Sequence, residues 1–381
     1  MAPTVLLVAT ATKWLGAARI PRDLDKAGWS VALLGPKGSL AEHSRFVRRI
    51  GHLPDAATPL QWGYAFAAAV RATTPRLVLP CDDTAFRLMQ LMVTVPPDGM
   101  PPELGFQLAA LVTASLGDPA YYRISVDKKL ICPAAEAAGV RVPPYRVVAF
   151  PSEAESFVAT HGWPIVLKRT HSSAGAGVAI CADADAFKRE FARLVNEETL
   201  DLNDSDSSRL LVQAYIPGHT RYFAGTAWRG SLICGYAVDK LEGEPQGPAS
   251  VVRYFHSPEL QDSAAALARA LGMSGIFAAE YIVHAQTGAL YLIEINRRIT
   301  PGTHRGEFIE VSTGAALLAA VEGKPLLTRT RLDDGEEHIF VNFPHEWLRD
   351  PASRYLCDYP VDVPWDEPAL IEAMLAMRHE A

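Results

Sequence analysis

The sequence lacks most of the short signatures that name a chemistry by themselves. It has no CxxC pair, and its five cysteines (Cys81, Cys132, Cys181, Cys234 and Cys357) are scattered and odd in number. That pattern offers neither a zinc site nor a disulfide framework, and a reducing cytoplasm is the expected compartment. No apolar run approaches the ~20 residues that span a bilayer. The opening MAPTVLLVATATKW has no basic stretch before its short apolar segment, so a first buried strand is expected there rather than a signal peptide. No GxxxxGK[ST] occurs, which excludes a Walker loop, and no GxGxxG follows the first strand, which weakens a dehydrogenase reading. A serine or cysteine nucleophile signature is also missing. Basic excess is absent too: the net charge of -7 gives no general pull toward nucleic acid or an anionic membrane, and neither is an expected partner.

What is present is a chain of 381 residues with 28 prolines spread along it, too long for one ordinary core. Hydrophobic residues make up 49% and charged residues 21%, the balance of a soluble globular protein. Up to about residue 120, short apolar runs (TVLLVA, WSVALLG, RLVLPCDD) alternate with helical stretches, one of them starting near Asp83. This argues for a parallel sheet covered on both faces. TVPPDGMPPELG, residues 94–105, reads as a surface loop. The pattern changes at Asp127. DKKLICPAAEAAGV has helical spacing, SEAESFVATHG is a helix with Ser152 as its cap, and SPELQDSAAALARALG is a helix capped by Ser257. RYFAGTAWRGSLICGYAVDKL reads as a hairpin turning at Arg229-Gly230, and a late strand (338–343) and helix (366–376) close the chain.

GIFAAEYIVHAQTGALYLIEINRR carries the strongest chemical signal. It reads as two strands joined by Gln286-Thr287-Gly288, with Gly288 supplying the left-handed residue that such a loop needs. In that register Glu280 lies opposite Glu294, and Asn296, two along, points to the same side. Two bare carboxylates that close repel each other. A divalent cation such as Mg²⁺ or Mn²⁺, which favours oxygen ligands, would remove the conflict. Neutralisation of Glu294 by Arg297, Arg298 or another arginine would serve as well. WPIVLKRTHSSAGAGVAI ends a strand on Lys168 and follows it with a small-residue loop that could approach phosphate oxygens; an ordinary hairpin loop and a snorkelling lysine fit the same letters. Lys128 and Lys129 stand on the first turn of a helix, where charge rules prefer acids.

In this order, the pieces resemble the ATP-grasp superfamily over roughly residues 125–315: a lysine before a helix, P-h-h-h-K with a Gly/Ser loop, LLVQAYIPG, an acid on one strand, then LIEINRR. The resemblance implies a mixed α/β and α+β chain. A Rossmann-like preATP-grasp parallel sheet would occupy residues 1–120. A two-subdomain ATP-grasp fold would follow over 121–325, with a nucleotide lid near 140–215 and a metal-binding part near 216–325. A small C-terminal segment, 326–381, would pack on the core.

The same resemblance implies that Lys128 and Lys168 reach the ATP phosphates and that a loop with Ser172, Ser173, Gly175 and Gly177 closes over them. Gln213, Ala214, Tyr215 and Ile216 would read adenine, and Glu280, Glu294 and Asn296 would hold Mg²⁺ or Mn²⁺. Arg298 would contact the transferring phosphoryl group, with Lys240 facing the phosphates. The implied activity is ATP-dependent ligation, in which a carboxylate becomes an acylphosphate that an amine or other nucleophile then attacks. Arg221, Arg253, His304 and Arg305 are candidates to seat the acid. Activation of bicarbonate, and a nucleotide-binding module without catalysis, are rival readings. The partners would be the small-molecule acid and nucleophile, and a homodimer through the first domain is expected by analogy. The sequence departs from the family in three places: Arg297 stands where a proline is usual, Ala214 stands where the linker commonly carries a Glu, and GHTRY lacks the common ribose-binding acid.

Overall fold

The structure is a computed structural model that describes residues 2–170, 177–196, 209–243 and 248–377. The chain begins with β1 (Thr4–Val8), α1 (Leu15–Lys26), β2 (Ser30–Gly35), β3 (Val47–His52), α2 (Pro59–Thr73), β4 (Leu77–Pro80), α3 (Asp83–Thr94) and α4 (Pro102–Leu116). The strands form a sheet in the order β3-β2-β1-β4, and β1 runs parallel to both β2 and β4. The strands read as continuous apolar runs because both faces are covered. Val5 and Leu7 pack with Ile20 and Leu24 on one side, while Leu6 and Val8 pack with Trp62 and Phe66 on the other. The strand order reverses between β1 and β4, and the ends of these two strands are tied together. Asp82, the cap of α3, accepts from Ala85 N at 2.9 Å and from Thr10 N and Thr10 Oγ1 at 2.6 Å each. The expected loop over 94–105 is shorter than its composition suggested, since Pro102, preorganised for a first helical turn, already opens α4.

Next come α5 (Tyr122–Val126) and α6 (Lys128–Ala137), the latter capped by Asp127 through Lys129 N at 3.0 Å. Then β5 (Tyr145–Val148), α7 (Glu155–His161), β6 (Ile165–Arg169), β7 (Val178–Cys181), α8 (Ala184–Asn196) and β8 (Leu210–Ala214) follow. These four strands make an antiparallel sheet, β5-β8-β6-β7, over a core that includes Phe157, Phe187, Phe191 and Leu194. Ser152 is not the cap of α7. It lies inside a 3₁₀ turn, Pro151–Ala154, whose start the Glu153 carboxylate caps by accepting from Ala149 N at 2.6 Å and Phe150 N at 3.3 Å, and α7 has no side-chain cap of its own.

The remainder is β9 (Gly218–Trp228), β10 (Ser231–Gly243), β11 (Ala249–Phe255), α9 (Pro258–Ala270), β12 (Gly275–His284), β13 (Leu290–Asn296), α10 (Thr313–Glu322) and β14 (Glu337–Val341). Their strands build a six-stranded sheet in the order β13-β12-β9-β10-β11-β14. The β9–β10 turn falls at Arg229 and Gly230, whose φ of 49° and 79° are both left-handed, as a two-residue hairpin turn requires. Ser257 caps α9 through Leu260 N at 3.4 Å. β14 pairs antiparallel with β11, so a late segment of the chain lends the large sheet one of its two edge strands.

Candidate active site

The β12–β13 hairpin puts Glu280 opposite Glu294, as its sequence leads one to expect, but by another route. His284 N bonds to Ala289 O, and the outer rungs pair Val283 with Leu290 and Ile282 with Tyr291, one residue out of the expected register. A bulge at Ile293, between the Tyr281–Leu292 and Glu280–Glu294 rungs, takes up the difference. The bulge has a chemical consequence. Leu290 and Leu292 face the apolar core with Tyr281 and Val283. Glu294 and Asn296 have the same parity and would follow them into it, but the extra residue turns them to the other face.

On that face the acids meet the lysines. Lys128 Nζ lies 3.2 Å from Glu294 Oε1, and Lys128 N donates to Thr170 O at 3.0 Å, fixing the start of α6 beside the end of β6 where Lys168 stands. Burial, and then the neighbouring Lys128, lower the Lys168 pKa to about 8. Burial, and then the facing Glu294, raise the Glu280 pKa to about 7. Two acids and two lysines therefore form one coupled group. The lysine pair at the head of α6 is thereby explained: Lys128 reaches the acids, and Lys129 Nζ stays 3.5 Å from Asp127 Oδ2.

The two arginines after the hairpin part company. Arg297 turns inward, donating to Ser125 Oγ at 3.1 Å, to Ser274 O at 3.3 Å and to Leu116 O, with its guanidinium over Phe86. Arg298 stays at the site. Its Nη2 donates to Asn296 Oδ1 at 3.1 Å, its Nε lies 2.8 Å from Asp83 Oδ1, and its guanidinium sits 4.6 Å from the Trp14 ring. The cation beside Glu294 is thus Lys128 rather than either arginine. A cavity of about 40 Å³ between α3 and the hairpin is lined by Asp83, Arg87, Asp127, Lys128, Glu294 and Asn296, among others.

Other expected site residues lie elsewhere. Across the sheet Glu280 pairs with Tyr222, whereas Tyr281 pairs with Arg221, and Asp239 faces both Arg221 and Arg253. Opposed residues share a face, so Arg221 and Arg253 are on the side away from Glu280. There they clasp Asp239 at 2.5 Å each, and neither is the acid's seat on the Glu280 face. Lys240, one residue beyond Asp239, is on the Glu280 side, and its charge is among those that hold the Glu280 pKa down. His304 and Arg305 are buried and paired with Asp362, at 3.0 and 2.8 Å, and Arg305 also donates to Tyr254 Oη at 3.0 Å. They are internal partners of an acid from the end of the chain rather than an open cationic seat. Gln213 and Ala214 are strand residues: Gln213 Nε2 points at Cys132 Sγ, 3.7 Å away, and Ala214 N donates to Pro144 O at 2.9 Å. Tyr215 and Ile216 form the link from β8 to β9. Gly177, at φ 79°, accepts from Arg169 N at 2.8 Å. Ser172, Ser173 and Gly175 lie outside the described residues.

Three residues at or near this network were not anticipated. Asp83 reads in PCDD as the start of a helix and, by resemblance, as part of the first domain rather than as a site residue, Trp14 carries no signal, and Asp362 sits in a tail without a motif. Among the described residues no trio of His, Cys, Asp or Glu converges as a metal cage. The donor set here is instead two carboxylates and an amide. That is the incomplete set which suits Mg²⁺, an ion that keeps water and takes phosphate oxygens. The raised pKa of Glu280 follows from its burial and from the facing Glu294.

No protein-family model matches the chain. It is 26% identical over 234 residues to the carbamoyl phosphate synthase large chain of Gemmatimonas aurantiaca, covering 54% of this chain and 20% of that one. The chain thus spans about a fifth of the length of the curated relative it matches. Among solved structures, the biotin carboxylase domain of the Hydrogenobacter thermophilus 2-oxoglutarate carboxylase superposes with a TM-score of 0.66 at 16% identity, over 87% of this chain and 73% of that one. Campylobacter jejuni biotin carboxylase gives 0.67 at 15%, over 87% and 74%. The ADP complex of an N5-carboxyaminoimidazole ribonucleotide synthetase gives 0.63 at 16%, over 89% and 81%. At these identities the likeness establishes a shared fold.

Proposed function

From a chain that has the ATP-grasp fold, we propose an ATP-dependent ligase that activates a carboxylate as an acylphosphate and passes it to an amine or other nucleophile. The coupled group of Glu280, Glu294, Lys128 and Lys168 carries this reading. Without ligand it is self-neutralising, with Lys128 against Glu294. A nucleotide with its metal offers each side a better partner: phosphate oxygens for the lysines, and a cation for Glu280, Glu294 and Asn296. When bound, Mg²⁺ supplies positive charge against the phosphate oxygens. Lys168, already buried, binds phosphate as a desolvated cation, and Lys128 exchanges Glu294 for phosphate. Arg298, held beside Asn296, offsets the charge that develops on the phosphoryl oxygens as a carboxylate oxygen attacks the γ-phosphorus and ADP leaves. The nucleophile then displaces phosphate from the acyl carbon. Lys240 supplies a further cation on the Glu280 face, and the Tyr215–Ile216 link supplies backbone groups for the adenine edge.

A second reading, activation of bicarbonate, is favoured by the similar Hydrogenobacter domain, whose structure contains MgADP, ADP and bicarbonate.

Thermal unfolding with ATP, with and without Mg²⁺, tests the site. Saturation at 100 times Kd adds about 2.7 kcal/mol of stability, so a rise of several degrees is expected in wild type with Mg²⁺ and none in Glu294→Ala. A wild type that ATP does not shift would overturn the reading. ADP release stimulated by bicarbonate alone, and by no organic acid in a mixed pool, would decide for the second reading over the first.

A further inference from the structure

The segment after the metal hairpin is bolted to the first sheet at the point where its strand order reverses. Ile299 N donates to Pro80 O at the end of β4, 3.0 Å away. Trp14 Nε1, from the loop after β1, donates to Ile299 O at 3.0 Å. The approach is close enough that a β-carbon on Gly16 would sit 2.8 Å from Thr300 O and 2.9 Å from Trp14 Nε1. Arg298 is thereby delivered between Asp83, the first residue of α3, and the Trp14 ring, with Asn296 on a third side. The Arg298 side chain is 7% exposed and that of Asp83 is 32% exposed.

We propose that Asp83 and Trp14 are positioning residues that hold the Arg298 guanidinium for the transferring phosphoryl group, so that the first domain completes the site. The inference rests on the proposed phosphoryl-transfer reading. A guanidinium has many rotamers, and a donor aimed at a developing charge acts only if it is already in place. Three contacts from three separate elements surround it: an acid 2.8 Å from Nε, close as an ion pair though not aligned as a hydrogen bond, an amide oxygen at Nη2 and an aromatic face. A pair that merely joined two parts of the chain would need none of this arrangement around one guanidinium.

The test uses the full chain and calorimetric titration with MgADP, then with MgADP plus fluoroaluminate, a mimic of the phosphoryl group in flight. Transition-state mimics bind at least 10²-fold tighter than ground-state ligands as an order of magnitude, so wild type should gain about 100-fold from fluoroaluminate. Asp83→Asn should keep MgADP affinity within about twofold and lose at least tenfold of that gain, with Asp83→Glu recovering most of it. Trp14→Phe, which keeps the stack and removes the donor to Ile299, should lose less than Trp14→Ala. Asp83→Asn combined with Arg298→Ala should lose no more than Arg298→Ala alone. If Asp83→Asn melts earlier yet keeps the full gain, Asp83 is only a structural tie and the proposal is overturned. A wild type that binds MgADP with no gain from fluoroaluminate overturns it too and spares the nucleotide site. A wild type that binds no MgADP removes the nucleotide reading, and this inference with it.

Discussion

Glu280 and Lys168 are displaced in opposite directions, and the signs have a consequence for nucleotide binding. With its pKa raised to about 7, folded Glu280 holds a proton that the unfolded chain has lost. Its contribution to stability therefore falls as pH rises from the ordinary carboxylate range through 7. With its pKa lowered to about 8, folded Lys168 gives up a proton that the unfolded chain keeps. Its penalty is thus present below pH 8 and fades as pH rises toward the ordinary lysine range. Binding of MgATP should drive both groups to their charged forms. Titration calorimetry in buffers of differing ionisation enthalpy should then show net proton release at pH 6.5, where Glu280 is protonated, and net uptake at pH 8.5, where Lys168 is neutral. The same sign at both values would mean that the two groups do not meet the ligand. At this scale the sequence was informative about identity and silent about partners. Glu280, Glu294 and both lysines stand out in their strands and helix. Asp83 and Trp14 become visible only when segments more than 200 positions apart in the chain are brought together. Arg221 and Arg253 misled because their face depends on the pairing of β12 with β9, of β9 with β10 and of β10 with β11, which no local pattern encodes.

The bulge at Ile293 is the element that lets one strand serve two faces. Leu290, Leu292, Glu294 and Asn296 fall on alternate positions, and in a regular strand all four would point the same way. With the bulge, the leucines fill the core and the polar pair faces the lysines. Deleting Ile293 should therefore be mild. The rungs on either side would close up with Glu294 still opposite Glu280 and Leu292 still opposite Tyr281. The expected result is a cost near 1–2 kcal/mol in urea unfolding, typical of a single change, and a retained Mg²⁺-dependent rise with ATP. Complete loss of that rise in a folded deletion variant would show that the local twist of the bulge, and not the pairing alone, aims the carboxylates. The hairpin was legible because period-two alternation and Gly288 announce it. The bulge was not, because it is a property of two strands together, and the outer register errs by the one residue that the bulge absorbs.

Over the whole molecule, the end of the chain works as a clasp. β14 extends the large sheet, Glu367 accepts from Ser44 Oγ at 2.5 Å, and Asp362 is buried among Arg305, His304 and the Phe343 N–H, which donates to it at 2.6 Å. Arg19 of α1 reaches the same residue through its backbone oxygen at 2.6 Å. Arg305 and Arg19 hold the Asp362 carboxyl well below the usual carboxylate range, and burial lowers His304 to about 3, so the imidazole is neutral at pH 7. Removing one partner of a buried pair leaves charge without compensation and costs about 3–5 kcal/mol. Asp362→Ala should lose that much in urea unfolding, and replacement by Asn should lose nearly as much. A loss below 1 kcal/mol would show that water reaches the arginines. None of this was readable from the tail, whose acids look like an ordinary solvated surface until the fold supplies their partners.

When all four are ionised, the charges of the Glu–Lys group sum to zero. A few ångströms away they present dipoles rather than a pole, and the molecule's own balance of -7 dominates what an approaching anion feels. Those four charges by themselves therefore do little to draw the nucleotide in from afar. They recognise the nucleotide on contact, by exchanging one set of ion pairs for another, and discrimination resides in how long a ligand stays rather than in how fast it arrives.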